Sequence, residues 1–407
     1  MMIRTVFLAI VLVAAISCAP DEDLMTLDTH VDILPINEIG EWDYLDVPEV
    51  QVDITKMEAG GLDAAFFILF SQQGELTPEG HQAAEDAAMA RYASIRRMLD
   101  MHPERIELAR TVEQARKIKA SGKLVAFLGM ENGYPLAQNP ANLEKFFELG
   151  VRYIGLLHMG HNGLGDSANP NESIQEATTL HGGLSDAGRE VVAEANRLGI
   201  MVDVSHAHRD TAIEMARVSM APVIASHSAV RALADITRNM DDDQLLAVKQ
   251  SGGVVQIVAF RRYLQKGHAE RLPAIMTLAR EVGFKSRHLD VDTLSPEMRE
   301  MYLRERAEID RKWPAVTASV ADFVDHIDYA VKLLGVDHVG IASDFGGGGG
   351  VDGWDNAAET QNVTSELVSR GYTDEDIRKI WSGNLLRVMR EVEAHARNLA
   401  EAAQSDS

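Results

Sequence analysis

Eight apolar runs punctuate the chain, most of them separated by stretches of helical periodicity. They cover residues 27–33, 62–70, 124–131, 151–158, 201–206, 222–227, 253–260 and 338–344. Their near-continuous hydrophobicity suits strands buried on both faces, as in a parallel sheet. Helical spacing recurs at 83–100, 112–120, 184–198, 209–217, 242–250, 319–334 and 374–395. In 184–198, Ser185 predicts an N-cap and Gly199 a stop after the last turn. Eight strands alternating with helices predict a (β/α)8 barrel. An open doubly wound sheet would bring a Gly-rich dinucleotide loop after its first strand, and the sequence has none there. Between the seventh and eighth strands, about residues 261–316 form a charged, mostly helical insertion. In a barrel it belongs over the C-terminal face, as a lid, a subunit contact or a solvated decoration.

The runs end on polar groups. His30 and Asp32 lie two apart on the first, so alternation puts both on one face. Glu131 ends the third run, His158 the fourth, His206 the fifth, His227 the sixth and Asp344 the eighth. A carboxylate at the end of a buried run is costly unless something pairs with it, and a metal ion does so. Imidazole and carboxylate donors suit zinc, with related first-row metals as alternatives. Glu131 has two oxygens and can bridge two cations. Asp344 is placed to move a proton, and His158 to polarise a carbonyl, stabilise an oxyanion or serve as a further ligand. The pattern points to a two-metal hydrolase.

Charge removes one class of partner. The chain has 39 basic and 62 acidic residues, a net charge of −23, and its basic residues are scattered. Binding to duplex nucleic acid needs clustered Lys and Arg, so no nucleic-acid partner is expected. Arg4, the apolar run Val6 to Ile16 and the small residues before Cys18 read as a secretory leader, residues 1–18. Cys18 is the only cysteine, which excludes an internal disulfide, and its position resembles a lipoprotein cleavage site. The expectation is an exported bacterial protein of the periplasm or cell envelope, held to the membrane only by lipid at Cys18. Residues 19–407 would form one barrel domain. The polar tail Glu401–Ser407 does not suit a C-terminal lipid-anchor signal.

The segments Asp28-Thr29-His30-Val31-Asp32, Gly129-Met130-Glu131-Asn132-Gly133, Arg152 to His158, Val202 to His206, Ile224 to Ser228 and Ser343-Asp344-Phe345 occur in this order. Together they resemble the membrane (renal) dipeptidase family, peptidase family M19, a branch of the amidohydrolase-like barrels. The resemblance covers about residues 25–395. It implies a dipeptide substrate, two Zn2+ per chain and a homodimer. His30 and Asp32 would bind one zinc, His206 and His227 the other. Glu131 would bridge them, with a hydroxide between the ions as nucleophile. Asp344 would shuttle protons, and His158 would stabilise the oxyanion. Arg238, in Thr237-Arg238-Asn239, matches the family's arginine for the substrate's C-terminal carboxylate, a group that guanidinium binds well.

The sequence departs from the family after Phe345, where Gly346 to Gly350 replace the usual Asp-Gly. A five-glycine loop is expected to be mobile and to leave room over the site. His161 and Asp166 are candidates for added substrate contacts. Two rival readings stand beside the dipeptidase. One is another amidohydrolase activity, on a lactone, cyclic amide or ester. The other is a tailoring protein without peptidase turnover, such as a siderophore-maturation factor. Many amidohydrolase relatives bridge their metals with a carboxylated lysine, but no Lys ends a strand-like run here, and Glu131 does.

Overall fold

The computed structural model describes residues 24–171, 176–268, 270–283 and 291–405. The leader and Cys18 lie outside the described residues. Eight parallel strands form the ring: β1 (Leu27–Asp32), β2 (Ala64–Phe70), β4 (Leu124–Glu131), β5 (Val151–Gly155), β6 (Met201–Asp203), β7 (Ile224–Ser228), β8 (Val254–Val258) and β9 (Val339–Ala342). They pair in chain order. A ninth strand, β3 (Ile106–Leu108), lies off this path, pairs with the start of β4 and was not foreseen. The ring closes where Val31 bridges to Phe345. The Asp32 N–H donates to the Phe345 carbonyl at 2.8 Å, and the Asp344 N–H to the His30 carbonyl at 3.1 Å. Helices occupy most connections, so the (β/α)8 expectation holds.

The strands form because their side chains are apolar on both faces. One layer fills the interior and includes Leu27, Phe66, Phe127, Tyr153, Met201, Ile224 and Val254. The rings of Phe66 and Phe127 stack at 4.7 Å, and Tyr153 lies 5.1 Å from Phe66. The final helix, Asn384–Ser405, packs Leu385, Met389 and Val392 into the same cluster, where β6, β7 and β8 begin. That end is therefore plugged, and the opposite end is left for chemistry.

Several boundaries differ from the sequence reading. Strands β5, β6 and β9 stop before His158, His206 and Asp344. His206 and Asp344 are left-handed, with φ of 64° and 60°, a conformation that ends a strand. Ser185 does cap its helix, accepting from the Gly188 N–H, and Gly199 ends it with φ 82°. The expected helix 374–395 is instead Asp374–Arg378, a π turn at Lys379–Gly383 and the final helix. The insertion carries helices Arg261–Leu264, Arg271–Glu281 and Pro296–Lys312. Leu278, Val282 and Tyr302 make its own small core. Among the described residues no helix is long and apolar enough to cross a membrane.

Gly60 ends the helix Ile54–Gly60, where a Cβ would collide with the backbone carbonyl of Ala357. Gly60→Ala is expected to destabilise the fold by about 1–3 kcal/mol and to lower Tm by several degrees in thermal denaturation. An unchanged Tm would show that this contact yields freely.

Candidate metal centre

The open end of the barrel collects the residues singled out from sequence. Glu131, the last residue of β4, stands in the middle. Its Oε2 lies 3.5 Å from His30 Nε2. Its Oε1 lies 3.1 Å from His206 Nε2 and 3.3 Å from His227 Nε2. One carboxylate thus turns one oxygen to each side. Asp32 approaches His30 at 3.8 Å, and Asp344 joins that pair in a cluster able to hold a cation. His158 joins Glu131 and His206 in another, and His30, Glu131 and His227 form a third. His158 and Asp344 therefore lie within the same donor set as the expected ligands.

Hydrogen bonds fix which ring nitrogens face this centre. Tyr153 Oη donates to the Thr29 carbonyl at 3.1 Å, so it accepts from His30 Nδ1–H at 2.8 Å. Ser226 Oγ donates to Asp203 at 2.6 Å, so it accepts from His227 Nδ1–H at 2.8 Å. Both arrangements turn Nε2 toward Glu131, the nitrogen that would ligate a metal once it gives up any proton it carries. His30 Nε2 is buried without a hydrogen-bond partner, and so is His206 Nδ1. Gly129 makes room for the Tyr153 ring, because a Cβ there would overlap it. Backbone strain concentrates at the same end: Asn132 has φ 63°, beside His206 and Asp344.

The electrostatics describe a site short of positive charge. Burial pulls the His30 imidazole down, but Glu131, Asp32 and Asp344 outweigh it and lift it to about 9. Burial raises Asp32 to about 6 and pushes Asp344 well above the usual carboxylate range. Glu131 is held well below that range: burial opposes this, and the surrounding imidazoles prevail. Burial keeps His206 and His227 neutral, as ligation requires. A divalent cation among these groups would take over the role of the His30 proton. Donor chemistry, the orphaned His30 Nε2 and charge all fit a metal.

Arg238 reaches the centre from the loop after β7. Its Nη1 donates to Ser228 Oγ at 2.9 Å and its Nη2 to the His227 carbonyl at 2.6 Å. Its Nε is buried and unpartnered, and its Cζ lies 5.1 Å from the Tyr263 ring. The fork is thus partly spent on holding the strand that carries His227.

Two sequence expectations fail. His161 and Asp166, expected to add substrate contacts, spend their polar atoms on their own loop. His161 accepts from the Ser167 N–H and contacts the Ala177 carbonyl. Buried Asp166 accepts from the N–H groups of Leu180, His181 and Gly183. The glycine loop is fastened rather than open. Gly347 and Gly349 donate to the Asp344 carbonyl, Gly350 donates to that of Ala259, and Gly346 donates to Gln51 Oε1. A Cβ on Gly347 would fall on the carboxylates of Asp32 and Asp344. Glycine here serves close approach. Sequence reasoning also missed the supporting roles of Tyr153, Ser226, Asp203 and Tyr263, because the contacts of Tyr153 with His30, of Asp203 with Ser226 and of Tyr263 with Arg238 join residues distant in the chain.

The family model of the membrane dipeptidases, peptidase family M19, matches residues 21–403. The chain belongs to the membrane dipeptidase family. Membership makes it an enzyme of the metallo-dipeptidase type. It is 30% identical over 373 residues to dipeptidase aclJ of Aspergillus oryzae, covering 90% of this chain and 76% of that protein. The crystal structure of the probable dipeptidase PvdM from Pseudomonas aeruginosa is 34% identical with a TM-score of 0.78, covering 92% of this chain and 97% of that one. A Rhodobacter sphaeroides metallopeptidase, solved with a phosphinate mimic of the dipeptide L-Ala-D-Ala, shares the fold at 22% identity and a TM-score of 0.69, covering 91% and 99%. Metal use is the family's chemistry, and the M19 motifs of this chain converge on the cluster described above.

Cation binding should expel protons. His30, lifted to about 9, carries a proton at pH 7 in the cation-free protein. Titrating the apo-protein with zinc at pH 7 in buffers of different ionisation enthalpy should reveal release of about one proton or more per chain. Heats independent of buffer would contradict this charge balance.

Proposed function

We propose that this enzyme is a zinc-dependent dipeptidase. His30 and Asp32 would hold one ion, His206 and His227 the other, and Glu131 both. The division of the Glu131 oxygens between His30 on one side and His206 with His227 on the other carries this reading. Bound there, the cations supply Lewis acidity toward the peptide carbonyl and acidify water.

The chain's own residues do the rest. Arg238 presents its unpartnered Nε to the C-terminal carboxylate of the substrate, while its other nitrogens keep it in place. Anchoring at that point fixes the scissile bond over the centre and excludes long peptides. Asp344 takes up the proton released as water adds to the carbonyl and delivers it to the departing amine. Its burial favours that role, since a carboxyl held well above the usual carboxylate range takes up a proton more readily. His158, 4.5 Å from the His206 ring, stabilises the negative charge that develops on the carbonyl oxygen. The sequence-read leader would export the enzyme to a bacterial cell envelope, with lipid at Cys18 as anchor.

A panel of L,L- and L,D-dipeptides, assayed with zinc, tests the proposal. Turnover is expected on dipeptides and not on their C-terminal amides. Asp344→Asn should lower kcat by about a hundredfold or more while cation content is unchanged. Near-normal activity in that variant would remove Asp344 from the mechanism. Failure on every dipeptide with cations bound would favour the tailoring reading.

A further inference from the structure

Strand β2 ends on Phe70, where neighbouring strands end on ionisable groups. Phe70 is the register partner of Glu131 across the β2–β4 ladder, so both side chains leave the sheet on the same face. The Phe70 ring meets His158 edge-on with centroids 4.8 Å apart. The same ring carries the guanidinium of Arg91, whose Cζ is 5.1 Å from its centroid. Arg91 belongs to the helix Pro78–Met101. The carbonyl of Ala90 accepts from the Ile36 N–H at 3.0 Å, which ties this turn to the segment leaving Asp32. Asp32 feels the Arg91 charge.

Two observations set Arg91 apart from a packing residue. Its Nε is buried without a hydrogen-bond partner, and among the described residues no carboxylate pairs with its guanidinium. A buried N–H on a half-buried cation is costly unless an acceptor meets it. Asp32 lies instead in a cluster with His30 and Asp344 that is able to hold a cation. The second observation is position. In the ring of eight strands β2 and β7 are four places apart, on opposite sides. Arg238 follows β7, and Arg91 covers the end of β2. The two guanidiniums therefore approach the metal centre from opposite sides.

A dipeptide has its scissile carbonyl one residue from its C-terminal carboxylate. With that carboxylate on Arg238 and the carbonyl at the centre, the N-terminal residue extends toward β2. Resting on the dipeptidase reading, we propose that Arg91 is a specificity residue that binds a side-chain carboxylate on the substrate's N-terminal residue. The substrates it favours begin with aspartate or glutamate and end in a free carboxylate.

The test compares aspartyl-alanine with asparaginyl-alanine, and glutamyl-alanine with glutaminyl-alanine, on the zinc-loaded enzyme. Each pair differs by one charge at nearly constant shape. The acidic member should show a KM about tenfold lower or better, with kcat little changed. Arg91→Gln should erase that difference while turnover of alanyl-alanine persists, and Arg91→Lys should keep part of it. Arg91→Glu should turn the preference toward lysyl-alanine. Equal KM values within each pair for the unaltered enzyme would overturn the proposal, whatever the variants do. So would an Arg91→Gln variant that loses cations and all substrates alike, because Arg91 would then serve Asp32. Turnover of alanyl-alanine without any acidic preference leaves the dipeptidase reading intact and sinks this one. Turnover of no dipeptide sinks both.

Discussion

The structure depends on burying the carboxylate of Glu131 among imidazoles at the open end of a barrel. Such a group is costly inside a protein unless positive charge surrounds it. Three further ionisable groups, His30, Asp32 and Asp344, share its space. In the cation-free protein the balance falls on one imidazole, and His30 rises to about 9 to supply it. Two divalent ions would meet the same demand with ligands already oriented. The arrangement is therefore better described as a cation receptacle than as a chance meeting of polar strand ends.

Everything beneath the cluster keeps it in place. Tyr153 fixes the His30 tautomer from the barrel interior, and its ring occupies space that Gly129 leaves free. Asp203 and Ser226 do the same for His227 from two adjacent strands. Arg238 holds the main chain of His227 and leaves its Nε unpartnered, so under the proposed function substrate and metal would be held at one strand end. The glycine loop lies against Asp32 and Asp344, so their carboxylates have little freedom. Strain at Asn132, His206 and Asp344 is maintained by this surrounding network.

Much of this was legible in the sequence because parallel strands buried on both faces leave a strong apolar signal. A polar residue that ends such a run is conspicuous, and His30, Asp32, Glu131, His158, His206, His227 and Asp344 were found that way. The supporting residues were not. Tyr153 sits inside an apolar run and reads as core, while its hydroxyl partner lies on another strand. Asp203 and Ser226 look like ordinary strand residues until the register brings them together. The glycine run misled because composition alone does not separate looseness from close approach. His161 and Asp166 misled because a loop can spend polar groups entirely on its own backbone. Arg91 left no trace, since nothing in the helix Pro78–Met101 marks which residue overhangs Phe70.

The central claim is that Glu131 is shared by two cations. Metal content per chain, measured by elemental analysis on the purified protein and on Glu131→Gln, addresses it most directly. The account predicts two divalent ions per chain in the unaltered protein. In the variant it predicts fewer than one, with an unchanged circular dichroism spectrum. A folded Glu131→Gln protein that still holds two ions would contradict it.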